Sequence, residues 1–118
     1  MAYNEQLAER IRSVLARRQG LTQRKMFGGI CFMLNGNMCC GALHDELIVR
    51  VRPDEYDAAM KRPHVRAFDF TGRPMKGFVV VLPRGYGADK ALKNWIEMGV
   101  RCARSLPAKA EGKKPRKK

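Results

Sequence analysis

Hydrophobic positions along this chain change period twice. Leu7, Ile11, Val14 and Leu15 recur at helical spacing with Ala8 beside them, while Glu5, Glu9, Arg10, Arg12 and Arg17 take much of the remainder. Asn4 is placed to cap this helix and Gly20 lies past its end, so a helix reaching about Arg18 is expected. Two apolar runs then flank Asn35-Gly36, the pair best suited to a type I′ hairpin turn, which needs positive φ at both central residues. That turn sets a register in which Leu34 faces Asn37, Met33 faces Met38, Phe32 faces Cys39 and Cys31 faces Cys40. A second tight connection at His44-Asp45-Glu46 leads into Leu47-Ile48-Val49-Arg50-Val51-Arg52, with Leu43 expected opposite Leu47.

Alternation sorts this meander into two faces. Ile30, Phe32, Leu34, Cys39, Leu43, Leu47, Val49 and Val51 make an apolar core face; Cys31, Met33, Met38, Cys40, Ala42, Ile48, Arg50 and Arg52 make a mixed one. Pro53 suits the first turn of a short helix over Asp54 to about Lys61. Val65 to Phe70 and Met75 to Leu82 read as another antiparallel pair around Thr71-Gly72-Arg73-Pro74, which would set Asp69 opposite Lys76. Pro83 to Gly87 reads as a loop. A final helix runs from about Asp89 to about Ser105, burying Leu92, Trp95, Ile96, Gly99, Val100 and Ala103. The fold class is α+β: an antiparallel sheet of about five strands, meander plus hairpin, packed against N-terminal and C-terminal helices. Residues 1–107 are expected to form one domain and 108–118 a disordered basic tail.

Charge changes the picture more than composition does. The 118 residues carry 24 Lys and Arg against 11 Asp and Glu, a net charge of +13. Such an excess attracts polyanions without specifying which. The cations singled out for phosphate contact are Arg24 and Lys25 before the meander, Arg50 and Arg52 on its mixed face, Arg73 and Lys76 at the second hairpin, and Lys113, Lys114, Arg116, Lys117 and Lys118 in the tail. Phe32, Phe68, Phe78 and Trp95 are committed to the core, so stacking platforms for single strands are scarce and little base readout is expected.

Four cysteines invite a redox or metal reading. By the hairpin register Cys31 and Cys40 oppose each other at a span that a disulfide can bridge, whereas four reduced thiols serving as small core residues is the ordinary arrangement. Cys39-Cys40 is no Cys-x-x-Cys loop, so neither a metal nor a cofactor is expected. No nucleophile elbow, phosphate-binding loop or dinucleotide fingerprint occurs, and no catalytic residue is assigned. Apolar runs fall far short of the ~18 to 20 residues of a membrane span, and the start of the chain lacks a leader pattern, so a cytoplasmic protein is expected.

Five stretches carry a family resemblance. Arg24-Lys25-Met26-Phe27-Gly28-Gly29, the Asn35-Gly36 hairpin, and Phe70-Thr71-Gly72-Arg73-Pro74-Met75-Lys76-Gly77-Phe78, together with Trp95-Ile96-Glu97-Met98-Gly99 and Ser105-Leu106-Pro107, resemble the TfoX (Sxy) N-terminal domain over roughly residues 4–107. The resemblance implies an α+β fold, a bacterial cytoplasmic setting and no catalytic residues. Named members are coactivators that help a cyclic-AMP receptor protein at competence promoters and carry a second, C-terminal helical domain. A stand-alone first domain is expected here, with a regulatory or adaptor role through a protein partner such as the transcription machinery, contact with nucleic acid through the basic surface, or homodimerisation.

Overall fold

Asn4 initiates the first helix as its position predicts. Its side-chain oxygen accepts a hydrogen bond from the Leu7 N–H at 3.0 Å, and α1 runs Glu5–Leu15, ending earlier than expected. The computed structural model describes residues 3–16, 18–26, 28–68 and 77–106. Beyond α1 the elements are β1 (Leu21–Met26), β2 (Gly29–Leu34), β3 (Asn37–Leu43), β4 (Glu46–Arg50), α2 (Pro53–Met60), β5 (Val65–Ala67), β6 (Phe78–Val81), α3 (Pro83–Tyr86) and α4 (Asp89–Arg104). The class is α+β as expected, with two differences. Pro83–Tyr86 is a helical turn rather than a loop, and the sheet has a sixth strand. That strand, β1, reads Leu-Thr-Gln-Arg-Lys-Met, and the side chains of Gln23, Arg24 and Lys25 are exposed. It lies at a sheet edge, where no apolar alternation is required.

All six strands form one sheet in the order β1-β2-β3-β4-β6-β5, with antiparallel pairs throughout. The edges are therefore the polar β1 and the three-residue β5. The second hairpin joins the meander through β6, which pairs Leu47 with Val81 and Arg50 with Phe78. The expected turn at 71–74 and the Asp69–Lys76 pair lie outside the described residues. Helices α1, α2 and α4 pack on one face. Leu7, Ile11 and Leu15 of α1, Ala59 of α2, and Leu92, Trp95, Ile96 and Val100 of α4 share a core with Ile30, Phe32, Leu34, Leu47, Val49, Val79 and Val81. Removing each large side chain of this kind from water stabilises the fold by about 1.5–3 kcal/mol.

The first turn forms as expected, with Asn35 at φ 53° and Gly36 at φ 82°, and Leu34–Asn37 and Met33–Met38 pair as expected. The register then shifts. Between the Met33–Met38 and Phe32–Cys40 pairs, β3 carries one extra residue, Cys39, a β-bulge. Cys31 consequently faces Gly41, not Cys40, and Ile30 faces Ala42. A two-residue connection at His44-Asp45 pairs Leu43 with Glu46 instead of Leu47. Cys40 and Ala42 thus belong to the helix-side core, and Leu43 packs on the other face with Ile48, Val80 and Phe68.

The physical reason lies in α4. A Cβ built on Gly99 would fall 2.3 Å from the Cys39 carbonyl oxygen, so the helix backbone meets the strand backbone at this point. The bulge turns Cys39 toward the helix, and its Sγ–H is directed at the Ile96 carbonyl at 3.9 Å.

Candidate nucleic-acid interface

The sheet register decides which of the expected cations stand together. Arg24 pairs with Cys31 and lies on the face away from the helices; Lys25 pairs with Ile30 and lies on the helix side. Arg50 shares Arg24's face but lies on β4, three strands away or roughly 14 Å at ordinary strand spacing. Between them runs a row of apolar and glycine positions: Cys31, Gly41 and Ile48 continue from Arg24 to Val80 and Arg66 at the far edge. Arg50 is engaged over the Phe78 ring, 5.7 Å from its centroid. Arg52 precedes α2 and bonds Asp54 at 3.2 Å. These four residues are therefore dispersed and do not make one patch. Arg73, Lys76, Lys113, Lys114, Arg116, Lys117 and Lys118 lie outside the described residues.

A denser array stands on the outer face of α4. Lys90, Lys93 and Arg104 are exposed, with Asn94, Glu97 and Arg101 among them. At 3.6 residues per turn all six fall within an arc of about 100°, and Lys90 to Arg104 spans about 21 Å along the axis. The acidic groups here are engaged by arginines from elsewhere. Arg18 pairs with Glu97 and Arg10 with Asp89, while Arg101 of α4 reaches Glu55 at 3.1 Å. Among the described residues, Lys90, Lys93 and Arg104 have no acidic partner within 4.0 Å. The sequence reading missed this stripe because it followed only the apolar side of the same helix. The signal was present in the spacing of 90, 93, 97, 101 and 104.

The thiols are arranged for packing. All four cysteines are free and buried. Burial pushes the Cys31 thiol up to about 11. Cys40 is held well above the ordinary thiol range by its hydrogen bond with Cys39, by burial and by the neighbouring Cys39 and Cys31. Burial also raises Cys102, outweighing the pull of Arg50 and Arg52. A nucleophilic cysteine needs the opposite shift and access to solvent. The expected cross-strand opposition of Cys31 and Cys40 is corrected by the bulge, which sends the two side chains to opposite faces of the sheet. No group of three or more His, Cys, Asp or Glu among the described residues could hold a metal ion.

Concave space is limited. An open groove of about 520 Å³ runs between α1 and α4, lined by Glu9, Arg10, Ser13, Val14, Asp89, Leu92 and Lys93. A recess above Gly41, walled by Cys31, Met38, Leu43, Ile48 and Phe68, has only about 10 Å³, at most a single water's worth. No helix among the described residues is long and apolar enough to cross a membrane.

Comparison with curated proteins and with solved structures returns no significant match. The family comparison does. The model described as the TfoX N-terminal domain matches residues 13–103, from the last turn of α1 to the last turn of α4. The matched span takes in all six strands and the Gly99 contact that seats the helix on them, so the chain belongs to the TfoX N-terminal domain family.

Proposed function

We propose that this protein is a non-enzymatic regulatory or adaptor domain of the coactivator type, working by contact with a protein partner and with the phosphate backbone of DNA. The observation that carries the reading is the family match across the whole sheet and its main helix. The charge of +13 supports the DNA arm, and the buried thiols with raised pKa support a role other than thiol chemistry. Phosphate contact without base readout has a plain signature: affinity falls steeply with salt and changes little with sequence. Fluorescence anisotropy with duplexes of about 20 base pairs, titrated from about 50 to 200 mM salt, reads both properties. Absence of binding at the low-salt end removes the DNA arm and leaves the adaptor reading.

A second reading, self-association, draws on the sheet face away from the helices, where Met38, Leu43, Phe78 and Leu82 are only partly buried. Light scattering at high concentration tests it; a single monomeric species would end it.

A further inference from the structure

We infer that the phosphate backbone of double-stranded DNA is held by the outer face of α4, through Lys90, Lys93 and Arg104, and not by the sheet cations. This rests on the DNA arm of the proposed function and adds the surface that performs it. Three observations lead there.

The first is uncompensated charge. The two acids on this helix, Asp89 and Glu97, are engaged by Arg10 and Arg18 from outside it, and Arg101 is engaged by Glu55. Lys90, Lys93 and Arg104 remain as exposed cations in one line. Arg50, by contrast, lies over Phe78, and Arg52 bonds Asp54.

The second is geometry. A straight cationic line of about 21 Å lies alongside a duplex that carries one charge per ~1.7 Å of axis, so several phosphates come within reach of it.

The third is what the stripe lacks. The exposed line holds Asn94 and charged side chains and no aromatic or aliphatic group, whereas protein interfaces centre on buried aromatic or apolar anchors. A helix that binds a lipid surface sinks its apolar face into the bilayer, and the apolar face of α4 is already committed: Leu92, Trp95, Ile96, Val100 and Ala103 are all in the core. A partner that presents only surface anions fits, and duplex DNA is that partner.

The test compares two triple variants of the full chain with equal loss of charge. Lys90→Gln/Lys93→Gln/Arg104→Gln removes the stripe; Arg24→Gln/Lys25→Gln/Arg50→Gln removes three cations of the sheet. Circular dichroism and thermal melting confirm that both fold. The stripe variant is expected to bind duplex DNA at least about tenfold more weakly at ~0.1 M salt, with the slope of log affinity against log salt shallower by about 2 to 3. The sheet variant is expected to keep the parent's slope. Equal losses in the two variants, or a stripe variant that binds like the parent, overturn the assignment to α4 while leaving DNA binding intact. A stripe variant that loses binding to phosphatidylserine vesicles but not to duplex overturns it in favour of a membrane surface. A parent that binds no duplex at low salt overturns both this inference and the DNA arm on which it rests.

Discussion

At the scale of single residues, Gly99 and Cys39 act as a pair. In an isolated helix Gly99→Ala would stabilise by about 1 kcal/mol, because alanine is the better helix former. Here the added methyl meets the Cys39 carbonyl at 2.3 Å, backbone that cannot move without disturbing the bulge. The expected outcome is a net loss of roughly 1–3 kcal/mol, read as a lower urea midpoint. Cys31 gives a second prediction at this scale. Its folded pKa, about 11, stands above the ordinary thiol value of 9.0. The folded state therefore binds the proton more tightly, and the associated stability is complete below about pH 9 and lost as pH rises toward 11. Chemical unfolding at stepped pH is expected to show the midpoint falling across that interval, with a shallower fall in Cys31→Ala. Residue-level chemistry was also where the sequence was least legible. Asn35-Gly36 announced its turn because positive φ is a local demand. The Cys39 bulge answers to a glycine sixty positions later, and a reading of β3 alone has no means of sensing that contact.

Elements were legible in proportion to how much of their surface is apolar. α4 was placed almost to the residue because Leu92, Trp95, Ile96, Gly99, Val100 and Ala103 repeat at helical spacing and all are buried. β1 escaped because three of its six side chains are exposed polar groups, so nothing marks its period. The pairing of β6 with β4 escaped for another reason: sheet order across a helical connection is set by the whole fold and leaves no local trace. The candidate site divides in the same way. The cations were all visible, but those of the sheet are dispersed across its strands, and the ones that line up stand on the polar side of α4, where no apolar period draws attention to them. At the start of α1, the Asn4 side chain satisfies the Leu7 N–H, bonds Asp45 at 2.9 Å, and sits beside the Asn4 N–H bond to His44. Asn4→Ala is accordingly expected to cost about 1 kcal/mol or more, measured by thermal melting.

For the molecule as a whole, two electrostatic effects of salt oppose each other. Ion pairs such as Arg10–Asp89, Arg66–Glu46 and Arg101–Glu55 sit at the surface, where each contributes about 0–1 kcal/mol and weakens as salt is added. Against them stands the mutual repulsion of a net +13, which salt relieves. With pairs this exposed, relief of repulsion is the larger effect, so the thermal midpoint is expected to rise between about 10 and 150 mM salt. A falling midpoint would mean that the ion pairs dominate. Across the same range DNA binding should weaken, which separates the two consequences of one charge excess.

The two edges of the sheet carry a further consequence. One is guarded by exposed Gln23, Arg24 and Lys25, and the other is three residues long with Arg66 at its centre. Among the described residues, neither presents a long, flat, apolar ladder on which another chain could lengthen the sheet. Two copies approaching edge to edge along β1 would bring like charges together. Among the described residues, strand addition is therefore disfavoured at both edges, which leaves the faces of the sheet and its helices for assembly.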